Sequence, residues 1–317
     1  MKDKQPLMLD IQGHRGARGL WPENTLKGFA ATLELGVNAL ELDVGVSRDG
    51  VLMVHHDLIL NPMTTRDRNG HWLADDARPA IHDLSAAELQ DYEIGTLQPE
   101  TTYAQRYPQQ LAIPGARIPT LQQVVELLHE HGDERVRLNV EAKLDPRHPQ
   151  LTARPEVFAR LLVNLLRETD MTARAAIQSF DWRVQACVLA LDEHIATGFL
   201  SEQHPQLNTV ADHGDHPSAW TNGMRIADFQ GSVPRMVKAA GGAVWSPDFQ
   251  SLDEQRLREA QTLGLRVVVW TVNTVSDITR MIGMGVDGVI SDYPNRVRDV
   301  ACKLGLRVPA STQRSHA

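Results

Sequence analysis

The sequence predicts a single (β/α)8 TIM barrel over residues 1–317, with an inserted region at 58–117 after the second barrel strand. Three observations predict it. Eight short apolar runs alternate with helical patterns over about 280 residues. The residues able to carry chemistry fall at the C-terminal ends of those runs, where barrels of this kind build their sites. Finally, 42% apolar content in 317 residues supports a sizeable core. An open doubly wound sheet is the competing architecture, but eight units favour closure.

The elements follow in order. Met8–Gln12 reads as a strand, and Thr25–Leu35 as a helix with Leu26, Phe29, Ala30 and Leu33 at helical spacing and Gly36 as its stop. Ala39–Ser47 is a strand, and Val51–His56 follows the "RDG" turn signal as an extra one. Five prolines interrupt Leu58 to Ile118, which reads as an insertion of short local elements. Alternation then resumes. Strands are expected at Val136–Ala142, Ala175–Phe180, Ile195–Leu200, Ala243–Ser246, Arg266–Thr271 and Gly288–Ser291. Helices are expected at Leu121–Glu130, Pro155–Thr169, Trp182–Leu191, Val233–Ala239, Asp253–Leu263 and Val275–Met281.

Composition narrows the function. Lys+Arg is 32 against Asp+Glu 40, a formal charge of −8, which argues against a nucleic-acid surface. No run is long and apolar enough for a transmembrane helix. The N-terminus lacks an apolar h-region, so no secretory signal is expected and a cytoplasmic location follows. Cys187 and Cys302 are too far apart in sequence to suggest a ligand pair and read as buried small hydrophobes in a reducing compartment. The tail "VPASTQRSHA" reads as frayed.

The strand "ALELDVGVS" carries the most chemistry. Alternation puts Leu40, Leu42, Val44 and Val46 on one face, and Glu41 and Asp43 on the other. With the apolar face against the helices, both acids point into the barrel, where an unpaired carboxylate is costly. They either pair with an inward Arg or Lys or hold a hard divalent cation. "RVRLNVEAK" repeats the pattern, offering Glu141 as a third acid and Lys143 as a cation beside it. His14 and Arg15 end the first strand, while His55, His56 and Asp57 end "VLMVHHD". Imidazoles titrate near neutrality, so one can accept a proton while the other donates. His55 and His56 have opposite parity, so one of them is expected to face the site. Asp57 either orients the imidazole or caps a turn. In "WPENT", Asn24 reads as a helix cap, with a ligand role for Glu23 as the alternative. Trp270 is placed to wall the pocket mouth or plug the barrel, and Asp287 and Asp292 read as structural terminators rather than metal ligands.

Taken together, "HRGARGLWPENT", "ELDVGVSRDG", "HHD", "IPTLQQVV", "NVEAK", "IQSFDW", "VVVWTVN" and "GVDGVISDYP" resemble the glycerophosphodiester phosphodiesterase family. The motifs occur in the family's order over about Gln12 to Asn295, apart from the variable insertion. The resemblance implies a (β/α)8 barrel that hydrolyses glycerophosphodiesters to sn-glycerol 3-phosphate and an alcohol. It implies His14 and His56 as the acid–base pair, and Glu41, Asp43 and Glu141 as ligands of one divalent cation, Mg²⁺ or Ca²⁺ with Mn²⁺ as a third candidate. Arg15 and Lys143 then neutralise phosphate, Trp270 lies at the substrate pocket, and 58–117 shapes that pocket and selects the alcohol. A lysophospholipase D-type reaction on lysophospholipids at the same site is the alternative. A barrel that binds phosphorylated metabolites without turnover needs no histidine pair and fits less well. The sequence leaves the oligomeric state open.

Overall fold

In the computed structural model, which describes residues 9–76 and 78–312, eight parallel strands close into a barrel. Strand β1 (Asp10–Gly13) is followed by α1 (Leu26–Leu35), β2 (Ala39–Val46) and the short β3 (Leu52–Val54). The insertion contributes α2 (Ala86–Leu89) and α3 (Thr102–Arg106). Helix α4 (Leu121–His131), β4 (Arg137–Ala142), α5 (Pro155–Glu168), β5 (Ala175–Ser179), α6 (Trp182–Leu191) and β6 (Ala196–Ser201) continue the alternation. Then come α7 (Val233–Ala239), β7 (Val244–Pro247), α8 (Glu254–Thr262), β8 (Arg266–Val269), α9 (Val275–Met284), β9 (Gly288–Ser291) and α10 (Pro294–Lys303). The strands pair in the order β1-β9-β8-β7-β6-β5-β4-β2, and β1 closes on β2 with Gln12 opposite Ala39. Strand β3 stays outside the barrel, antiparallel to β2.

Binary patterning places the core. Leu40, Leu42 and Val44 are fully buried and join the large cluster between strands and helices. Their neighbours Glu41 and Asp43 face inward. Capping sets the helix boundaries. Thr25 accepts from Gly28 N at the start of α1, and Gly36 ends that helix at φ 88, a conformation that costs glycine little. Thr120 and Gln123 form a reciprocal capping box on α4. Among the described residues, no helix is long and apolar enough to cross a membrane.

The insertion does not merge with the main core. Met53, Leu60, Ile81, Leu89, Ile94 and Ile118 form a second, smaller cluster. Its chain is tied by isolated bridges such as Ile59 with Ala80 and Arg66 with Glu93 rather than by long strands.

Several expectations need correction. Cys302 is exposed because Pro294, Val297, Val300 and Ala301 form the buried face of α10, and Cys187 is only half-buried where it packs against the edge of the main core. The tail residues 308–312 are fastened rather than frayed: Thr312 N and Ser311 Oγ donate to Glu34 O, a carbonyl left open at the end of α1. Strands β3 and β8 stop earlier than expected, because His55, His56 and Trp270 leave the regular ladders. The expected strand start at Met8 and the last five residues of the tail lie outside the described residues.

Candidate active site

Strand register assembles the acids. Strands β2 and β4 run parallel with Asp43 opposite Glu141 and Glu41 opposite Asn139. Each of Glu41, Asp43 and Glu141 offers an oxygen, and the three oxygens lie within 4.8 Å of one another. All three residues are buried. Lys143, two residues beyond Glu141 on the same face, puts Nζ 2.6 Å from Glu141 Oε1 and 3.6 Å from Asp43 Oδ1. Arg15 Nε lies 3.3 Å from Asp43 Oδ2, and Arg15 N donates to Glu41 Oε2 at 2.9 Å. Burial, with Asp43 and Glu141 alongside, pushes the Glu41 carboxyl well above the ordinary glutamate range. Burial also works against ionised Asp43, but Arg15, His56 and Lys143 outweigh it and hold that carboxyl far below its usual value. Burial raises Glu141 despite Lys143, which itself is raised by its two acid partners.

The loop after β1 delivers the first histidine. Gly16 sits at φ 72 and a Cβ there would meet Phe29 at 2.8 Å, while a Cβ on Gly19 would stand 2.4 Å from the Tyr293 ring. The glycines therefore let the loop fold back onto the barrel rim. His14 Nδ1 donates to Asp292 Oδ1 at 2.6 Å, which leaves Nε2 facing Glu41 Oε2 at 3.9 Å. Asp292 is shared: Arg18 Nε donates to Oδ1 at 2.9 Å and Asn273 Nδ2 to Oδ2 at 2.7 Å. Burial lowers the His14 pKa, with Asp292 pulling the other way.

His56 mirrors this arrangement more openly. Its Nδ1 donates to Asp57 Oδ1 at 2.6 Å, and its side chain keeps 30% exposure. Burial, then the charges of Arg15 and Lys143, lowers its pKa well below the usual value. His55, of opposite parity, bonds the Asp57 carbonyl instead, so one of the two histidines lines the cavity as expected. His14, Arg15, Glu41, His56, Glu141, Lys143 and Trp270 all line one cavity of about 460 Å³ at the strand C-terminal ends. Asp43 is fully buried beside them and does not line the cavity. Trp270 donates Nε1 to Ser246 O and stands edge-on to Phe180, at 5.4 Å between ring centres. A second cavity of about 910 Å³ shares His56, Glu141, Lys143 and Phe180 and extends under the insertion.

Four residues escaped the sequence reading. Asp292, a strand terminator by sequence, orients His14 from 278 positions away. The α1 cap is Thr25 rather than the expected Asn24, and Asn24 Nδ2 instead donates to Asp43 Oδ2 at 2.9 Å. Arg18 joins Asp292, and Gln178 donates to Glu41 Oε1 at 3.0 Å. Gln178 had a legible signal: in "AAIQSF" it alternates inward from Ile177. Glu23 is not among the clustered acids; it bonds Arg15 NH1 at 2.9 Å and accepts from the Tyr103 hydroxyl of the insertion.

The donor set suits a hard cation. The three oxygens converge, and buried Asp43 Oδ1 accepts no hydrogen bond from the protein. Two imidazoles with lowered pKa values and the cations Arg15 and Lys143 flank those oxygens.

Comparison with known proteins agrees. Residues 14–296 match the Glycerophosphoryl diester phosphodiesterase family. The glycerophosphodiester phosphodiesterase of Caldanaerobacter subterraneus subsp. tengcongensis is 26% identical over 295 residues, covering 93% of this chain and 98% of the relative. A provisionally named glycerophosphoryl diester phosphodiesterase from Silicibacter pomeroyi superposes with TM-score 0.84 at 34% identity, covering 95% of this chain and 96% of that one. An Oleispira antarctica phosphodiesterase, solved with its product sn-glycerol-3-phosphate, shares the fold with TM-score 0.66 at 24% identity, over 93% and 97% of the two chains. The chain belongs to the glycerophosphoryl diester phosphodiesterase family and is an enzyme of that class.

Proposed function

We propose that the chain hydrolyses glycerophosphodiesters to sn-glycerol 3-phosphate and an alcohol, using His14 and His56 as general acid and base. Glu41, Asp43 and Glu141 would hold one divalent cation, Mg²⁺ or Ca²⁺. Bound there, such a cation supplies positive charge against a phosphoryl oxygen. Arg15 and Lys143 seat the phosphate and offset the charge that grows on it. One histidine takes the proton from the nucleophile, either water or the neighbouring glycerol hydroxyl, as its oxygen bonds to phosphorus. The other gives its proton to the alcohol oxygen as the second ester bond breaks. In the alternative where the glycerol hydroxyl attacks, water opens the resulting cyclic diester in a second step. Trp270 walls the glycerol side, and the 58–117 insertion shapes the alcohol side. The product bound in the Oleispira antarctica relative supports this choice of product. Two free cysteines accord with a cytoplasmic location.

One observation carries the reading: two imidazoles, each with Nδ1 fastened to an aspartate, line the same cavity as Glu41 and Glu141 of the acid cluster. The test is a panel of glycerophosphodiesters assayed with Mg²⁺, Ca²⁺ and Mn²⁺. The expected result is glycerol 3-phosphate release that EDTA abolishes; release unaffected by EDTA would remove the cation from the proposal.

A second reading is lysophospholipase D-type hydrolysis at the same site. The larger cavity favours it, since Leu58, Ile59, Met63, Leu73 and Leu151 give that space an apolar wall. Turnover of lysophosphatidylcholine exceeding that of glycerophosphocholine would select it.

A further inference from the structure

Below the acids, the barrel interior holds polar amides beside the branched aliphatic side chains, such as Val244 and Val268, that commonly fill such barrels. Strands β1, β4 and β5 each send a primary amide inward: Gln12, Asn139 and Gln178. Asn139 Nδ2 donates to Gln12 Oε1 at 2.8 Å and to Gln178 Oε1 at 3.1 Å. With both carbonyl oxygens engaged, the two glutamine amines point in opposite directions. Gln178 Nε2 donates to Glu41 Oε1 at 3.0 Å, toward the site. Gln12 Nε2 donates to Asp10 Oδ2 at 3.1 Å, toward the barrel floor. Asp10 is held in turn by Arg137 NH2 at 2.7 Å and Arg266 NH2 at 3.1 Å.

Direction in this chain is fixed by chemistry. With Glu41 ionised, as cation binding requires, a flipped Gln178 would set its carbonyl against the Glu41 carboxylate and its amine against the Asn139 amine. Both contacts repel. Packing alone does not enforce the orientation. A cavity of about 200 Å³ lies below, lined by small side chains including Ala175, Ala176 and Ala196, and Gln178 lines both it and the larger space above. Gly198 leaves the room Gln178 occupies, since a Cβ there would come 3.0 Å from Gln178 Cβ. At the other end, Glu41 Oε2 accepts from Arg15 N at 2.9 Å, so the carboxylate is gripped through both oxygens.

We infer that Gln178, oriented by Asn139 and Gln12, is a positioning residue that fixes the Glu41 carboxylate for cation binding. It rests on the reading of Glu41 as a cation ligand. Bonds to ligating carboxylates from the surrounding protein tune metal affinity strongly, and here the bond belongs to an amide chain that crosses the barrel to its floor.

Calorimetric titration of Mg²⁺ alone, and of Ca²⁺ alone, into the metal-stripped full-length protein tests this. Gln178→Met keeps the volume and removes the donor; it is expected to weaken cation binding roughly 10- to 100-fold. Asn139→Leu, which bonds none of the three acids, is expected to weaken it severalfold by releasing Gln178. Ser246→Ala lines the same lower cavity, bonds none of the three amides, and is expected to bind like wild type. A purely structural amide layer would lower melting temperature and leave cation affinity unmoved. Wild-type affinity in Gln178→Met overturns the inference. Should that variant fail to fold, Asn139→Leu decides in its place: weakened binding supports the inference and wild-type affinity overturns it. A wild-type protein that binds neither cation overturns the reading of Glu41, and this inference with it.

Discussion

The two histidines of the site are held by the same device in two different ways. His14 bonds an aspartate 278 positions away, and that aspartate is 1% exposed and also grips Arg18 and Asn273. His56 bonds the residue next to it, and Asp57 keeps 38% exposure. The first arrangement exists only when the barrel has closed, because β1 and β9 must lie side by side to bring Asp292 over His14. The second arrangement needs only a local turn. An orienting carboxylate buried among cations cannot be replaced by water, whereas one at the surface can.

That contrast can be broken or sharpened by mutation. The largest expected effect is loss of either imidazole: His14→Ala and His56→Ala should each lower kcat at least ~10²-fold in the glycerol 3-phosphate release assay. Near-wild-type turnover of either variant would remove that histidine from the chemistry. Next, Asp292→Asn should lower kcat by about 10²-fold, because loss of the carboxylate frees the wrong tautomer of His14. Asp57→Asn should cost only about 10-fold, since solvent can orient the half-exposed His56. Equal losses in the two variants would dissolve the comparison.

Stability should separate the same pair. Arg18 and His14 hold the Asp292 carboxyl far below the usual aspartate range, despite the burial that opposes ionisation. A carboxyl depressed in the folded state stabilises the fold at pH values above its unfolded pKa, near 3.9, and this contribution fades as pH falls towards the folded value. Asp292→Asn should therefore cost about 3 kcal/mol at pH 7 in denaturant unfolding, with the difference from wild type shrinking below about pH 4. A difference independent of pH would show that ionisation of Asp292 is not its source. The smallest effect is expected where the insertion meets the site. Tyr103→Phe removes the hydroxyl that Glu23 and Arg18 share, and should cost about 1 kcal/mol with little change in kcat. A large fall in kcat instead would make the insertion part of the catalytic framework.

Much of this site was legible from residue order. Period-two alternation in "ALELDVGVS" and "NVEAK" put Glu41, Asp43, Glu141 and Lys143 on inward faces, parity allowed only one of His55 and His56 to face the site, and the family resemblance pointed to His56. The misreadings have a common origin. Asn24 looked like a helix cap because Asn is a good one, yet Thr25 beside it takes that role and frees Asn24 for Asp43. Asp292 looked like the end of a strand because its partner lies at the other end of the chain. The insertion showed only as a loss of pattern, since isolated bridges and a small separate core have no sequence period.

What the sequence determined by itself is therefore the set of elements and the face each side chain takes, because alternation and capping act between residues a few positions apart. Closure decided the rest. Parallel register set Asp43 beside Glu141, and the meeting of first and last strands set Asp292 on His14. Glu41 remained between Gln178 and the Arg15 backbone. Partners separated by tens to hundreds of residues are chosen by three-dimensional proximity, which a linear pattern does not encode.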